Sequence, residues 1–187
     1  MPEDAPTVTV SSPEVGGAGG DEPRWLDDGE QHAWRQLATV ILRLPSELEA
    51  QLQRDAGMSY FEYWAMALLS EAPDHTLRMS QLASQANASL SRLSHVVSRL
   101  EKREWVTRRP CPDDARATLA VLTELGWDQV VATAPGHAAA VRRLVFDGFE
   151  PDEVDELDRL CGAILARIEA PDPPSRADGH THATDGG

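Results

Sequence analysis

The sequence predicts a mainly α-helical protein with one small β-hairpin. Apolar residues recur at helical spacing in six segments, and only two short runs, 106–109 and 118–122, have the character of strands. The predicted order is four helices, the hairpin and two more helices, with no βαβ unit, internal repeat or glycine-rich phosphate loop. The length of 187 residues suits one domain, or one domain with an appended element.

Two helices are predicted in the N-terminal part of the chain. Apolar residues follow helical spacing over residues 31–54, where Pro45 predicts a kink. Gly57 is a typical helix stop. Ser59 can cap a second helix that continues to about Ser70.

Two shorter helices and the hairpin follow. The helices cover about residues 80–86 and 89–103, and they are separated at Asn87, a residue type that tolerates left-handed backbone geometry. The two strand-like runs then enclose the polar segment 110–116. This arrangement predicts a hairpin with a long tip.

The last two helices are predicted from their first residues. Thr123 can cap a helix that reaches about Phe146 and bends at Pro135–Gly136, and Pro151 suits the first turn of the final helix. Cys161 belongs to an apolar stripe on that final helix and is expected to pack as an inert side chain. The stripe consists of Val154, Leu157, Leu160, Cys161, Ile164, Leu165 and Ile168.

Composition excludes several classes of protein. Residues 1–24 and 171–187 are polar and rich in Gly and Pro, so we expect both tails to be disordered. No stretch has the roughly 18 apolar residues of a membrane span, and no secretory signal is evident, so we expect a cytoplasmic protein without membrane contact. Two cysteines fifty residues apart indicate neither a disulfide framework nor structural zinc. We expect no metal and no cofactor.

The distribution of charge singles out one segment. The whole chain has a net charge of −14, which is the wrong sign for nucleic-acid binding. Counted separately, however, one segment is basic, as contact with a phosphate backbone requires. The net charges are −5 for residues 1–27, −5 for 28–74, +4 for 75–123, −6 for 124–170 and −2 for 171–187.

The helix predicted over residues 89–103 has two unlike faces. Its apolar arc contains Leu90, Leu93, Val96, Val97 and Leu100. The opposite arc contains Ser91, Arg92, His95, Ser98, Arg99 and Lys102. Small hydroxyl groups mixed with Arg and His suit contacts with base edges and phosphates. The alternative is an ordinary solvated helix face, which usually has more Glu.

Three segments of the chain, 77–103, 106–116 and 120–123, resemble the winged helix-turn-helix of the multiple-antibiotic-resistance regulator (MarR) family. The resemblance extends over about residues 28–169. It implies a winged helix-turn-helix plus a helical dimerisation region, in a homodimer whose subunits intertwine their N-terminal and last two helices. The implied division is 25–74 for the supporting and dimerisation helices, 75–123 for DNA binding and 124–170 for the C-terminal dimerisation helices.

The resemblance also assigns residues to DNA contact. It makes 89–103 the recognition helix of the major groove, and the residues nearest bases or phosphates are Ser91, Arg92, His95 and Arg99. The family's Asp-x-Arg wing motif falls on Asp114 and Arg116, where Asp is expected to orient Arg in the minor groove. A narrow minor groove concentrates negative potential and favours Arg there. Arg108 and Arg109 are expected phosphate contacts, although one of them could simply be solvated.

The junction between the recognition helix and the wing departs from the family's usual sequence. Glu104 stands where the family commonly has Gly, and a non-glycine residue in a left-handed cap is strained. Trp105 is expected in the core beneath the wing, with base stacking as the alternative.

Two further sites concern regulation. The family implies a pocket for small aromatic or phenolic ligands, which Trp34, Tyr60, Tyr63 and Trp64, with His32 or His137, could line; each could equally be plain core. Cys111 lies among arginines at the wing, and nearby cations lower the pKa of a thiol, so a redox switch is an alternative.

The predicted function is a sequence-specific, homodimeric transcriptional regulator. We expect it to bind an inverted-repeat operator in double-stranded DNA, to repress, and to be released by a small-molecule effector. The alternatives are a winged-helix module for protein interaction or antirepression, and a redox-sensing regulator acting through Cys111. An enzyme is not expected, because no nucleophile elbow, metal triad or paired carboxylates emerge.

Overall fold

The computed structural model describes residues 23–170. The predicted tails therefore lie outside the described residues, apart from Pro23 and Arg24. The chain divides into two units between Ile41 and Leu42. The described helices and strands are α1 (Asp28–Ala56), α2 (Tyr60–Glu71), β1 (Thr76–Arg78), α3 (Met79–Gln85), α4 (Leu90–Lys102), β2 (Val106–Cys111), β3 (Asp114–Leu122), α5 (Glu124–Val141) and α6 (Pro151–Glu169). A short 3-10 helix (Pro73–His75) precedes β1, and a π-helical turn (Arg142–Phe146) continues α5.

The predicted fold class, mainly α with a small β-hairpin wing, is confirmed. Helix starts agree with the predicted caps: the Ser59 hydroxyl accepts from the Glu62 amide at 3.2 Å, and the Thr123 hydroxyl accepts from the Gly126 amide at 3.0 Å. Pro151 begins α6 as expected. α1 is helical through Pro45 and ends before Gly57, which has a φ of +61°.

The sheet contains one strand more than predicted. β3 is central, and both β1 and β2 pair with it in antiparallel register. The prediction of a long hairpin tip is wrong. β2 continues to Cys111 and β3 begins at Asp114, so only two residues form the turn. The added strand positions, 110–111 and 114–117, contain none of the β-branched or aromatic residues that are typical of strands, so residue type did not indicate this part of the hairpin.

The core of the second unit lies where α2, α3 and α4 pack against the sheet. α4 buries four of its five predicted apolar residues there, namely Leu93, Val96, Val97 and Leu100. Leu90 is the exception and is 53% exposed, because it occupies the first position of α4, at the outer end of the helix. Asn87 and Glu104 both have positive φ, 48° and 61° respectively, as their positions beside α4 predict.

The first unit and α6 expose large apolar side chains. In the first unit Trp34, Val40 and Ile41 are exposed, and none of the residues of α6 is buried. Cys161, expected to pack, is therefore exposed, since the rest of the described chain does not cover α6. Among residues 23–170, no helix combines the length and apolar character that crossing a membrane demands.

Candidate nucleic-acid interface

α4 carries the largest group of predicted contact residues on one exposed face. Its N-cap is Ser89, whose hydroxyl accepts from the backbone amide of Arg92 at 3.2 Å. Burial of the apolar arc turns the opposite side to solvent. The exposed residues on that side include Ser91, Arg92, His95 and Arg99.

Two arginines of this face contact the start of α2. The Arg92 guanidinium carbon lies 4.5 Å from the centre of the Phe61 ring, within the range of a cation–π interaction. Arg99 Nε donates to Glu62 Oε1 at 2.8 Å. The Arg99 side chain is 54% exposed, whereas the Glu62 side chain is 6% exposed. The arginine therefore keeps solvent contact while its partner is fixed in the protein interior.

Glu62 is ionised despite its burial. Burial alone would raise the pKa of its carboxyl, but hydrogen bonds from Arg99 and Ser59 outweigh burial and hold that pKa below its usual value. A buried carboxylate with a full set of partners is a fixed negative charge beside the exposed arginines.

Arg108 joins the wing to α4. Its Nη1 lies 3.2 Å from Glu101 Oε2, and its Nη2 donates to the Ser94 carbonyl at 2.6 Å and to Ser98 Oγ at 2.9 Å. The sequence could have indicated that Arg108 points towards the protein, because residues two apart on a strand share a face and Val106 is buried. Arg109 occupies the opposite face and is exposed.

Replacing these two neighbouring arginines should lower the stability of the fold to different extents. Arg108→Ala removes the ion pair to Glu101 Oε2 and the side-chain hydrogen bonds to α4, while Glu101 Oε1 still accepts from the backbone amide of residue 108. We expect the substitution to lower the free energy of unfolding by about 1–2 kcal/mol. Arg109→Ala should change that free energy by less than about 0.5 kcal/mol. Urea titrations of both variants provide the comparison, and equal losses of stability would contradict the bracing role of Arg108.

The Asp-x-Arg motif lies at the start of β3. Asp114 Oδ1 accepts from the backbone amide of Arg116 at 3.0 Å, so the acid holds the backbone of the exposed arginine rather than its guanidinium. Asp114 Oδ2 also lies 3.9 Å from Arg78 Nη1. An open cleft of about 460 Å³ separates the wing from α4; its lining includes Arg78, Leu90, Ser94, Arg108, Asp114 and Arg116.

Cys111 does not have the exposure that a reactive thiol needs. Its side chain is buried at the end of β2, beside the irregularity in pairing between Pro110 and Cys111. Oxidants reach exposed thiolates far more readily than buried thiols. Within the described residues, no group of three His, Cys, Asp or Glu side chains could hold a metal ion.

Three of the four predicted ligand-pocket aromatics form a cluster with His137. The Tyr60 and Trp64 rings stack with centroids 6.4 Å apart, and the Tyr63 and His137 centroids are 4.6 Å apart. Trp34, with His32, belongs to the first unit and is exposed there. Burial raises the pKa of the Tyr63 phenol and lowers the pKa of His137, so both side chains are neutral near neutral pH.

The low pKa of His137 predicts a loss of stability in acid. His137 Nδ1 lies 3.2 Å from Gln51 Oε1, to which a neutral ring can donate. The unfolded chain has the ordinary histidine pKa of about 6.5 and takes up the proton first, so stability should fall as the pH drops below about 6.5. We expect His137→Asn to flatten this part of the stability–pH curve. An unchanged slope would contradict the burial of a neutral ring.

Phe61 and Glu62 are functional candidates that the sequence did not indicate. Ser59 followed by Glu62 matches the capping-box pattern, so the place of Glu62 at the start of a helix could have been predicted. Its pairing with Arg99 spans 37 residues of sequence, and no local pattern reports such a contact.

Comparisons with known proteins agree on one family. The MarR family model matches residues 59–118. Sco3205, a MarR family transcriptional regulator from Streptomyces coelicolor whose crystal structure is a complex with DNA, is 43% identical, with 85% of this chain and 97% of Sco3205 covered and a TM-score of 0.77. AbsC, a MarR family transcriptional regulator from the same organism, is 39% identical, with 78% and 98% covered and a TM-score of 0.74.

A curated relative extends the agreement beyond Streptomyces. The transcriptional repressor MprA of Escherichia coli strain K12 is 24% identical over 136 residues, which are 71% of this chain and 77% of MprA. The family model covers the segment from the start of α2 into β3, and the solved relatives Sco3205 and AbsC cover 85% and 78% of this chain. The chain therefore belongs to the MarR family of transcriptional regulators.

Proposed function

We propose that the chain regulates transcription by binding double-stranded DNA sequence-specifically through α4 and the β2–β3 wing. The observation that carries this proposal is the exposed arginine, histidine and hydroxyl face of α4, within a segment of charge +4 in a chain of charge −14. Sco3205, 43% identical, was crystallised in complex with DNA, which supports the same role for this chain.

Each candidate residue has a role in this proposal. Ser91, Arg92, His95 and Arg99 contact bases or phosphates in the major groove, because a helix fits that groove and these side chains donate hydrogen bonds. Arg116 enters the minor groove, with its backbone held by Asp114. Arg109 contacts phosphate. Arg108 serves the interface as a positioning residue, since its donors are already directed to α4.

We further propose a homodimer that reads an inverted repeat. Support comes from the exposed apolar stripe of α6, which one chain leaves uncovered; its exposed members include Leu160, Ile164, Leu165 and Ile168. The exposed apolar residues of the first unit support the same conclusion. A two-fold axis between subunits requires two half-sites in opposite orientation.

Repression with release by a small aromatic or phenolic effector completes the proposal. The relative MprA is a transcriptional repressor, which favours repression here. Tyr60, Tyr63, Trp64 and the neutral His137 form a cluster of aromatic rings, in which Trp64 is exposed and Tyr60 half-buried and can therefore stack against such a ligand.

Selection of bound duplexes from random DNA, followed by footprinting, tests the proposal. The purified full chain should enrich one inverted repeat, with half-site centres about one helical turn, or roughly ten base pairs, apart. Enrichment of a single unrepeated site would contradict the dimer. Failure to enrich any sequence would favour the alternative of a winged-helix module for protein interaction.

A further inference from the structure

We propose that Phe61 and Glu62 are positioning residues that hold Arg92 and Arg99 ready for base recognition, so that discrimination between DNA sequences depends on α2. The inference rests on the proposed DNA binding and adds a determinant of specificity to it. Two consecutive residues of α2 contact two arginines that lie two helical turns apart on one face of α4.

Glu62 is built as a rigid anchor. Its Oε2 accepts from the Ser59 amide at 2.8 Å, as the capping box of α2 requires, and its Oε1 accepts from Arg99 Nε. Only 4% of the residue is exposed, so solvent does not compete for either oxygen. An anchor of this kind differs from an exposed carboxylate, whose ion pairs order a side chain weakly.

The contacts leave both arginines able to donate to DNA. Arg99 uses its Nε–H on Glu62, and its two terminal nitrogens carry the four remaining N–H groups. Arg92 stacks on the face of Phe61, a contact that consumes none of its five donors. Restricting the rotamers of both side chains before binding reduces the entropy that recognition would otherwise cost.

The negative charge of Glu62 makes the inference distinguishable from a general loss of binding. Neutralising a carboxylate beside the DNA surface removes repulsion of phosphates, so affinity for unrelated DNA should hold or increase. The same change releases Arg99 from its fixed position, so affinity for the operator should fall. Opposite movements of the two affinities cannot come from partial unfolding.

Glu62→Gln in the full chain is the direct test. The single carbonyl oxygen of Gln can keep the capping-box bond from the Ser59 amide, and its NH2 group then faces Arg99 and cannot accept from Nε. Glu49→Gln is the matched control: Glu49 lines an open concavity together with Arg92 and Arg99, but its Oε2 accepts from the Tyr60 amide at 2.6 Å. Fluorescence anisotropy at one salt concentration gives the dissociation constants for the selected operator and for a scrambled duplex of equal composition. Their ratio measures discrimination.

We expect Glu62→Gln to lower the discrimination ratio about tenfold, within the range for one bidentate arginine contact, without weakening binding to scrambled DNA. Phe61→Leu should lower it about threefold, as loss of a cation–π support implies. Glu49→Gln should leave it within about twofold. Equal losses in Glu49→Gln and Glu62→Gln would overturn the inference, as would a lower melting temperature of Glu62→Gln with an unchanged ratio.

The Arg99→Ala background separates positioning from any other role of Glu62. If Glu62 acts through Arg99, adding Glu62→Gln to Arg99→Ala should lower discrimination no further. A second, additive loss would overturn the inference while leaving the proposed function intact. Equal affinity of the unaltered protein for operator and scrambled DNA would overturn both.

Discussion

Arg92→Ala and Arg116→Ala should each weaken operator binding by about 1–3 kcal/mol, the usual value of an arginine that contacts bases. Both side chains are exposed, Arg92 on α4 and Arg116 on the wing, so their loss should leave the core intact. The two substitutions lie on different elements and remove the contacts proposed for the major groove and the minor groove, respectively. Gel-shift titrations with the selected duplex measure both losses.

A control separates these contacts from a simple change in net charge. Arg143→Ala removes one exposed arginine outside the basic segment, and we expect operator affinity to change by less than about twofold. If Arg92→Ala and Arg116→Ala both bound the operator as tightly as the unaltered protein, the assignment of the interface to α4 and the wing would be wrong.

Gly126→Ala should destabilise the fold by about 2–3 kcal/mol, the upper part of the range for overpacking. A Cβ at this position would overlap the backbone carbonyl of Trp105 and lie 2.7 Å from Leu122 Cδ1. The Trp105 carbonyl cannot retreat freely, because it accepts from the Thr123 amide at 3.0 Å. The start of α5 must therefore shift away from the base of the wing.

Urea denaturation at one protein concentration measures this effect, since the stability of the proposed dimer would depend on concentration. Gly148→Ala is the matched control, because a Cβ there meets nothing within 4 Å. A loss of unfolding free energy below about 0.5 kcal/mol for Gly126→Ala would contradict a close contact between Gly126 and the Trp105 carbonyl.

The parts of the fold that depend on local chemistry could be predicted from the sequence. Ser59 and Thr123 mark helix starts because their hydroxyls accept from a backbone amide three residues later. Pro151 marks one because proline has no N–H to leave unpaired in the first turn. The two faces of α4 could be predicted for a similar reason, since helical periodicity alone separates its apolar arc from its polar arc.

Features that depend on distant contacts could not be predicted in this way. β1 is only three residues long, and it exists because β3 supplies its hydrogen-bond partners. The hairpin is longer than predicted, because the added positions 110–111 and 114–117 lack the β-branched and aromatic residues typical of strands. The same limit applies to Glu62, whose partner Arg99 comes from another helix.

The orientation of Arg108 and Cys111 also could not be predicted from a count of charges along the sequence. A count of charge treats Arg108 and Arg109 alike, yet the strand turns one towards α4 and the other to solvent. Cys111 lies near arginines in sequence, but in the structure it pairs with Asp114 at the end of the hairpin and its side chain is buried. Counting charges along the chain thus identified the basic segment, but it could not show which side chains of that segment face solvent.

The salt dependence of operator binding tests most directly whether the basic segment of this acidic protein is a DNA-binding surface. The logarithm of the association constant should fall linearly with the logarithm of salt concentration, by about 0.9 per phosphate neutralised, and Arg109→Ala should reduce that slope by about one. A slope near zero, or no binding to any selected duplex at low salt, would contradict the proposed function.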